Sequence, residues 1–421
     1  MAWRLLPFLV FVYFVAYLDR VNVGFAALTM NADLGLTATQ FGLGSGIFFF
    51  TSYFLFEVPS NVALKRFGAR IWIARIMVTW GLISVAMAFI TGPKSFYALR
   101  FLLGVAEAGF FPGMVFYLTL WFPNSVRAAI LGVFIIANPV STVIGAPLST
   151  ALLETSLFGL TGWQTMYVVE GVPAVLLGFV TLFVLCDSPA QAKWLNDHER
   201  AVLARAVARE DASSTHKSWR EGLLSGRVWR FALLYAALML GVYGFGFWAP
   251  QIIKSFGTLD NQEVGIALII PYAAATIAMV LWGRHSDRKS ERTWHLVLPL
   301  ALATIGFLYG GFADNVYLAI LGFTLGAVGL YSSLPLFWTL PTAFLTGSAA
   351  AGGIALINSV GNLSGGLGPY FIGWLKDHTQ GYTAGLLVIA TSMAFAAVLG
   401  YLFSRPLSKW RGLERHDAGG A

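Results

Sequence analysis

The sequence predicts an all-α membrane protein: twelve transmembrane helices in two six-helix, pseudo-symmetric bundles. Three observations carry this. The 421 residues are 57% hydrophobic and 11% charged, where a soluble domain carries about a quarter charged residues. Apolar runs long enough to cross a bilayer, about 20 residues each, recur from end to end. The two halves also repeat features at a fixed offset. Lys65-Arg66 and Asp287-Arg288 lie 222 positions apart, each just past the second span of its half. Pro147 and Pro369 keep the same offset, each in a fifth span beside small residues ("IGAPLS", "GGLGPY"). Parallel repeats of this kind place a substrate site near the bilayer midplane.

In chain order the predicted spans are 5–28, 41–64, 71–92, 97–121, 128–154 and 163–186, then 228–253, 263–284, 294–312, 316–341, 349–374 and 382–404. The first run is too long for a cleavable signal peptide and carries Asp19-Arg20, so it reads as a genuine span. Asp187-Ser-Pro189 stops the sixth. In the linker that follows, Trp194, Leu195, Val202, Leu203 and Val207 form an apolar stripe on a short amphipathic helix. The expected domains are therefore 1–186, an N-terminal bundle, 187–227, a cytoplasmic linker, and 228–421, a C-terminal bundle with a short tail.

Lys and Arg set the orientation, because inner loops collect them. Lys65, Arg66 and Arg70 follow span 2, Arg127 follows span 4, and Arg284, Arg288, Lys289 and Arg292 follow span 8. Arg405, Lys409, Arg411 and Arg415 lie in the tail, while the opposite side offers Lys94, Lys254 and Lys376. Both termini are expected in the cytoplasm. The same bias accounts for the net charge of +7 without nucleic acid. The single cysteine, Cys186, excludes an intrachain disulfide and a multi-cysteine metal site. The six histidines show no metal-ligand spacing. No phosphate loop is present, so ATP drive is not indicated. The spans lack the Ser/His or His-x-x-x-His arrangements an intramembrane enzyme would need, so no catalytic residue, metal or cofactor is expected.

The chemistry lies in charges at membrane depth, which face a bundle interior or a water-filled cavity. Arg100 and Glu107, in "RFLLGVAE", are seven apart and share a helix face two turns apart. Asp19 and Arg20 form the second such place. Two carboxylates and two arginines point to a path for protons and an anion. A carboxyl in an apolar span holds a proton more readily than one in water, and a nearby arginine opposes this. Glu57 reads as a structural pair near the membrane edge, and Glu170 as a partner of Arg127 or a helix cap. Asn138, Asn358 and Asn362 are amides in apolar spans whose polarity must be met by another helix, water or substrate. Tyr17, Tyr53, Trp338 and Thr339 are further candidate substrate contacts.

The stretches "YLDRVNVGFAAL", "FEVPSN", "RFLLGVAEAGFFPG", "DSPAQAKWL" and "GFWAPQIIK" together resemble the major facilitator superfamily, over essentially the whole chain. Within it they resemble the anion:cation symporter family, closest to the branch of tartrate, phthalate and hydroxyphenylacetate permeases. The resemblance implies proton-coupled uptake of a small organic acid anion across a bacterial inner membrane by a functional monomer. It implies Arg100 and Arg20 as anion contacts, Tyr17 and Tyr53 as hydrogen-bonding substrate contacts, and Asp19 and Glu107 as protonatable positions. The superfamily's loop motif, roughly Gly-x-x-x-Asp-Arg-x-Gly-Arg, is present in part as Gly283, Asp287 and Arg288. After span 2 its acidic position is Lys65. An exchanger or efflux carrier of similar anions is the alternative. A signalling receptor of this fold would add a large soluble domain, for which the linker and tail are too short.

Overall fold

The computed structural model describes residues 2–122, 124–192, 194–200, 203, 224–341, 345 and 347–417. Every regular element among them is helical. Lipid leaves little choice, since each backbone N–H and C=O must be satisfied inside its own segment. The chain forms two compact units, residues 1–36 with 43–214 and residues 37–42 with 215–421.

The first unit holds α1 (Ala2–Asp33), most of α2 (Ala38–Phe67), α3 (Ala69–Phe89), α4 (Pro93–Trp121), α5 (Asn124–Leu153) and α6 (Gly162–Val184). The opening residues 37–42 count with the second unit. That unit holds α7 (Gly226–Lys254), α8 (Asn261–Lys289), α9 (Thr293–Gly311), α10 (Val316–Thr339), α11 (Gly347–Thr379) and α12 (Thr383–Asp417). Eleven helices among the described residues are long and apolar enough to cross a membrane. α11 covers the remaining predicted span.

Within the first unit α1 packs on α5 and α6, α3 on α6, and α2 on α4. Within the second, α7 packs on α11 and α12, α9 on α12, and α8 on α10. The two lists match when six is added to each label, which is the packing counterpart of the 222-residue offset. Large apolar side chains such as Leu176, Phe183, Ile277 and Leu281 remain exposed. Lipid supplies the apolar surroundings they need. Trp80, Trp121 and Trp248 are fully buried.

Two helices depart from the continuous spans that hydropathy predicts. α2 runs as a π-helix from Leu43 to Phe48, and such turns recur at functional positions. α4 ends its first segment at Glu107 and restarts at Phe110, with Gly109 in the left-handed region at φ 84°. The predicted linker helix falls largely outside the described residues, Val202 and Val207 included. So do the side chains of Arg127 and of the tail cations Arg405, Lys409, Arg411 and Arg415.

Candidate functional site

The four predicted intramembrane charges all lie in the first unit, with Asp19, Arg100 and Glu107 almost completely buried. Sequence spacing put Glu107 on one helix face with Arg100, but the structure gives Glu107 a different partner. Arg20 donates to Glu107 Oε2 from Nε at 3.1 Å and from Nη2 at 2.5 Å. Glu107 Oε1 has no partner. The choice follows from geometry: two turns along one helix separate Arg100 from Glu107, whereas Arg20 reaches across from α1.

Arg100 makes no ion pair among the described residues. Its Nη2 donates to the Ser45 carbonyl at 3.2 Å, inside the π-helical stretch of α2, while Nε and Nη1 have no partner. Its guanidinium lies 4.7 Å from the centre of the Phe49 ring. Arg20 lies 5.8 Å from the same ring and 5.4 Å from that of Tyr53. Phe49 thus stands beside both cations, a position that sequence reasoning missed because a phenylalanine in an apolar run carries no signal. Gly104 lets α4 come this close to α2. A Cβ there would lie 2.1 Å from Ser52 Oγ and 2.3 Å from the Phe49 carbonyl.

Asp19 does not pair with its neighbour Arg20. Its Oδ1 accepts from Ser84 Oγ of α3 and from Asn22 Nδ2 at 3.1 Å, and its Oδ2 has no partner. Arg100, Glu107 and Tyr167 lie within electrostatic reach of it. Tyr17 and Tyr53 are buried in the same unit. Asn138 of α5 keeps a buried Oδ1 without a partner. Glu57 is also buried.

The second unit holds the remaining predicted contacts. Asn358 and Asn362 are buried on α11. Trp338 packs edge-on to Tyr235 with ring centres 4.9 Å apart, and Phe337 stacks on the same tyrosine at 4.9 Å. α11 passes Tyr235 at Gly361, where a Cβ would lie 2.2 Å from the ring. Thr339 donates its hydroxyl to the Leu336 carbonyl at 2.7 Å, one turn back on its own helix.

The loop motif forms a local latch in the second unit. Arg292 pairs with Asp287 at 2.6 Å and donates to Ser286 Oγ at 2.7 Å. Ser290 takes the left-handed conformation, φ 51°, at the position where the motif carries its second glycine. Gly283 has open space beside it, and Arg288 is exposed. In the first unit, where Lys65 replaces the motif acid, Asp187 supplies a carboxylate instead. It accepts the Arg70 backbone N–H at 2.8 Å, at the start of α3. Asp377 of α11 does the same for the start of α2, accepting from the N–H of Ala38 at 3.2 Å and of Thr39 at 2.7 Å. Burial opposes ionisation of Asp377, yet these bonds and the Thr39 hydroxyl hold its carboxyl below the usual range.

The model of the Major Facilitator Superfamily matches residues 9–369 and, in a second match, 253–419. A provisionally named tartrate transporter of Agrobacterium vitis is 51% identical over 97% of this chain and 91% of its own length. A quinolone resistance transporter of Acinetobacter baumannii is 43% identical over 97% of this chain and 94% of its own. Among solved structures, a bacterial homolog of the human lysosomal transporter Spinster superposes with a TM-score of 0.79. It is 17% identical, covering 96% of this chain and 97% of that one.

Proposed function

The chain belongs to the major facilitator superfamily, and from that premise we propose that it is a proton-coupled symporter. In this reading it carries an organic acid anion into the cell across a bacterial inner membrane, with both termini cytoplasmic. It works as a monomer of two bundles, 1–186 and 228–421, joined by the linker 187–227. The observation that carries the reading is the state of the two arginines. Arg100 is fully buried with two N–H groups unpartnered, while Arg20, beside the same ring, is held by Glu107.

Open to the outside, the site takes protons on Asp19 and Glu107. A proton on Glu107 dissolves its ion pair and releases the Arg20 guanidinium. The substrate carboxylate then binds Arg100 and Arg20, whose planar forks match it. Tyr17, Tyr53, Asn138, Asn358, Asn362, Trp338 and Thr339 meet the remainder of the anion. Inside, loss of the protons returns Glu107 to Arg20 and expels the anion. Any net positive charge carried inward gains about 2.3 kcal/mol per 100 mV.

The tartrate transporter relative favours a hydroxy-dicarboxylate, and the site's aromatics also suit an aromatic carboxylate. Proteoliposomes given an outside-acid gradient and labelled tartrate or an aromatic acid provide the test. Uptake that exceeds equilibration only with the gradient is expected, and equal uptake without it removes symport. The relative with quinolone resistance in its name favours a second reading, efflux, under which the same gradient drives substrate outward from preloaded vesicles.

A further inference from the structure

Arg75 of α3 is a further charge at membrane depth, inside the predicted span 71–92, and no step above uses it. It departs from the rule that such charges face a bundle interior or a cavity. Ile71 and Leu82 of α3 are exposed. Arg75 shares their face of the helix, four residues after the one and seven before the other. α3 packs on α6, whose Leu176, Phe179 and Phe183 are exposed as well. An exposed apolar surface of this kind meets lipid, and Arg75 stands half-buried within it.

The surroundings of its guanidinium are aromatic, not acidic. Cζ lies 4.0 Å from the centre of the Trp72 ring. No ion pair among the described residues includes Arg75, and its Nε is buried without a partner. The ring beneath it is held in place. Trp72 Nε1 donates to Ser60 Oγ of α2 at 3.0 Å, and Phe67 stacks on Trp72 with centres 5.6 Å apart and planes 14° apart. The exposed Arg66 lies 5.7 Å from the centre of Phe67. Arg75 is six residues, about 9 Å, past the start of α3. Helical side chains lean toward the N-terminus, and this one turns back over Trp72, one turn nearer the helix end. That is the level at which tryptophans and snorkelling arginines meet lipid headgroups.

A guanidinium that has lost part of its water and gained no carboxylate lacks a counter-charge. At headgroup level on a lipid-facing surface, the anion at hand is a phosphodiester, whose free oxygens match the planar fork. We propose that Arg75, braced by Trp72, binds the phosphodiester of an anionic glycerophospholipid at the ends of α2 and α3. Lys65 and Arg66, exposed at the end of α2, add positive charge there. That charge favours an anionic headgroup over a zwitterionic one. Assignment to the inner leaflet rests on the orientation proposed above. The binding itself rests neither on orientation nor on symport.

Lipid titration of the purified, delipidated protein in a nonionic detergent tests this without transport. Native mass spectrometry reads the bound lipid, and the melting temperature reads its effect on stability. Phosphatidylglycerol should bind wild type and raise its melting temperature. Phosphatidylcholine should do so more weakly, and equal binding of the two overturns the anionic assignment. Arg75→Gln should weaken phosphatidylglycerol binding at least about tenfold, the equivalent of one hydrogen bond to a charged group. Arg75→Lys keeps the charge but loses the fork and much of the hold on the ring, and should weaken binding about threefold. It stands in if Arg75→Gln fails to fold. Unchanged affinity in the variant that folds overturns the proposal. Arg284→Gln removes an exposed cation elsewhere and should leave binding as in wild type. An equal loss in that variant would mean diffuse attraction to the whole surface and no site at Arg75. Inorganic phosphate is the last arm. It should not displace phosphatidylglycerol at millimolar concentration, and displacement that depends on Arg75 would make this a site for a free anion and overturn the lipid.

Discussion

Arg100 has more donors than the protein satisfies. A fully buried guanidinium with one backbone partner and a flanking ring has lost its water without a compensating anion. Such a charge is a cost to folding that a ligand can offset. Arg100→Met removes the charge and keeps much of the volume. It should abolish anion binding while leaving the melting temperature equal to or above that of the wild type. Arg100→Lys keeps the charge but loses the planar fork, so affinity should fall at least about 30-fold, as for a truncated charged contact. Thermal-shift titration with the best substrate reads both quantities, and wild-type affinity in either variant removes Arg100 from the site. Of the residues around it, the sequence showed the charged ones plainly, because ionisable groups in apolar runs stand out. It did not show Phe49 or the Ser45 carbonyl. An apolar ring and a main-chain oxygen become part of a site only through the approach of two helices, which residue spacing on one helix does not encode.

At the scale of elements, the interruptions in α2 and α4 place the charges. The break in α4 falls directly after Glu107, and Gly109 turns it in the left-handed region with Ser60 Oγ against its bare Cα. A Cβ there would sit 2.3 Å from that oxygen. Gly109→Ala should therefore cost about 1–2 kcal/mol from backbone strain and crowding, read as a lower melting temperature with weakened binding. Hydropathy saw one span here because both segments are apolar, and the cue that existed, a glycine three residues before Pro112, looks the same as close-packing glycine. A second element end carries a pH dependence. Glu291 accepts from the N–H of Trp294 at 2.8 Å and of His295 at 3.2 Å, at the start of α9, and from the His295 ring at 2.6 Å. Burial pushes its carboxyl up, but these bonds outweigh that and hold it below the ordinary value. A depressed carboxyl contributes stability above its unfolded pKa and loses it as pH falls through the folded one. Glu291→Gln should thus cost about 0.5–1 kcal/mol at neutral pH, and the gap from wild type should close on acidification. Melting curves across acid pH check this, and a gap that widens on acidification contradicts it.

At the scale of the whole molecule, the repeat was legible and its asymmetry has a functional consequence. The positions 222 beyond Asp19, Arg20, Arg100 and Glu107 are Gly241, Val242, Gly322 and Gly329. The packing plan was kept in both units, while the charges stand in the first alone. Orientation can be checked in a Cys186→Ser background. Single cysteines near Asp33, Lys94 and Asp260 should label from outside, and those near Arg70 should not; the reverse pattern would invert the topology. The concentration of charge in one unit also sharpens the test of coupling. Glu107→Gln mimics the protonated acid, so Arg20 is freed and the anion should bind at least as well as in wild type. Asp19→Asn keeps an oxygen for Ser84 and should likewise bind. Neither amide can release a proton inside, so uptake driven by a pH gradient should fail in both. Counterflow of labelled for unlabelled anion needs no net proton movement and should survive in at least one. If the acids only hold the arginines in place, binding and counterflow should instead fall together in both variants. Affinity, counterflow and gradient-driven uptake measured on the same two proteins separate these outcomes. Uptake at the wild-type rate with the wild-type pH dependence in both would remove Asp19 and Glu107 from the coupling path.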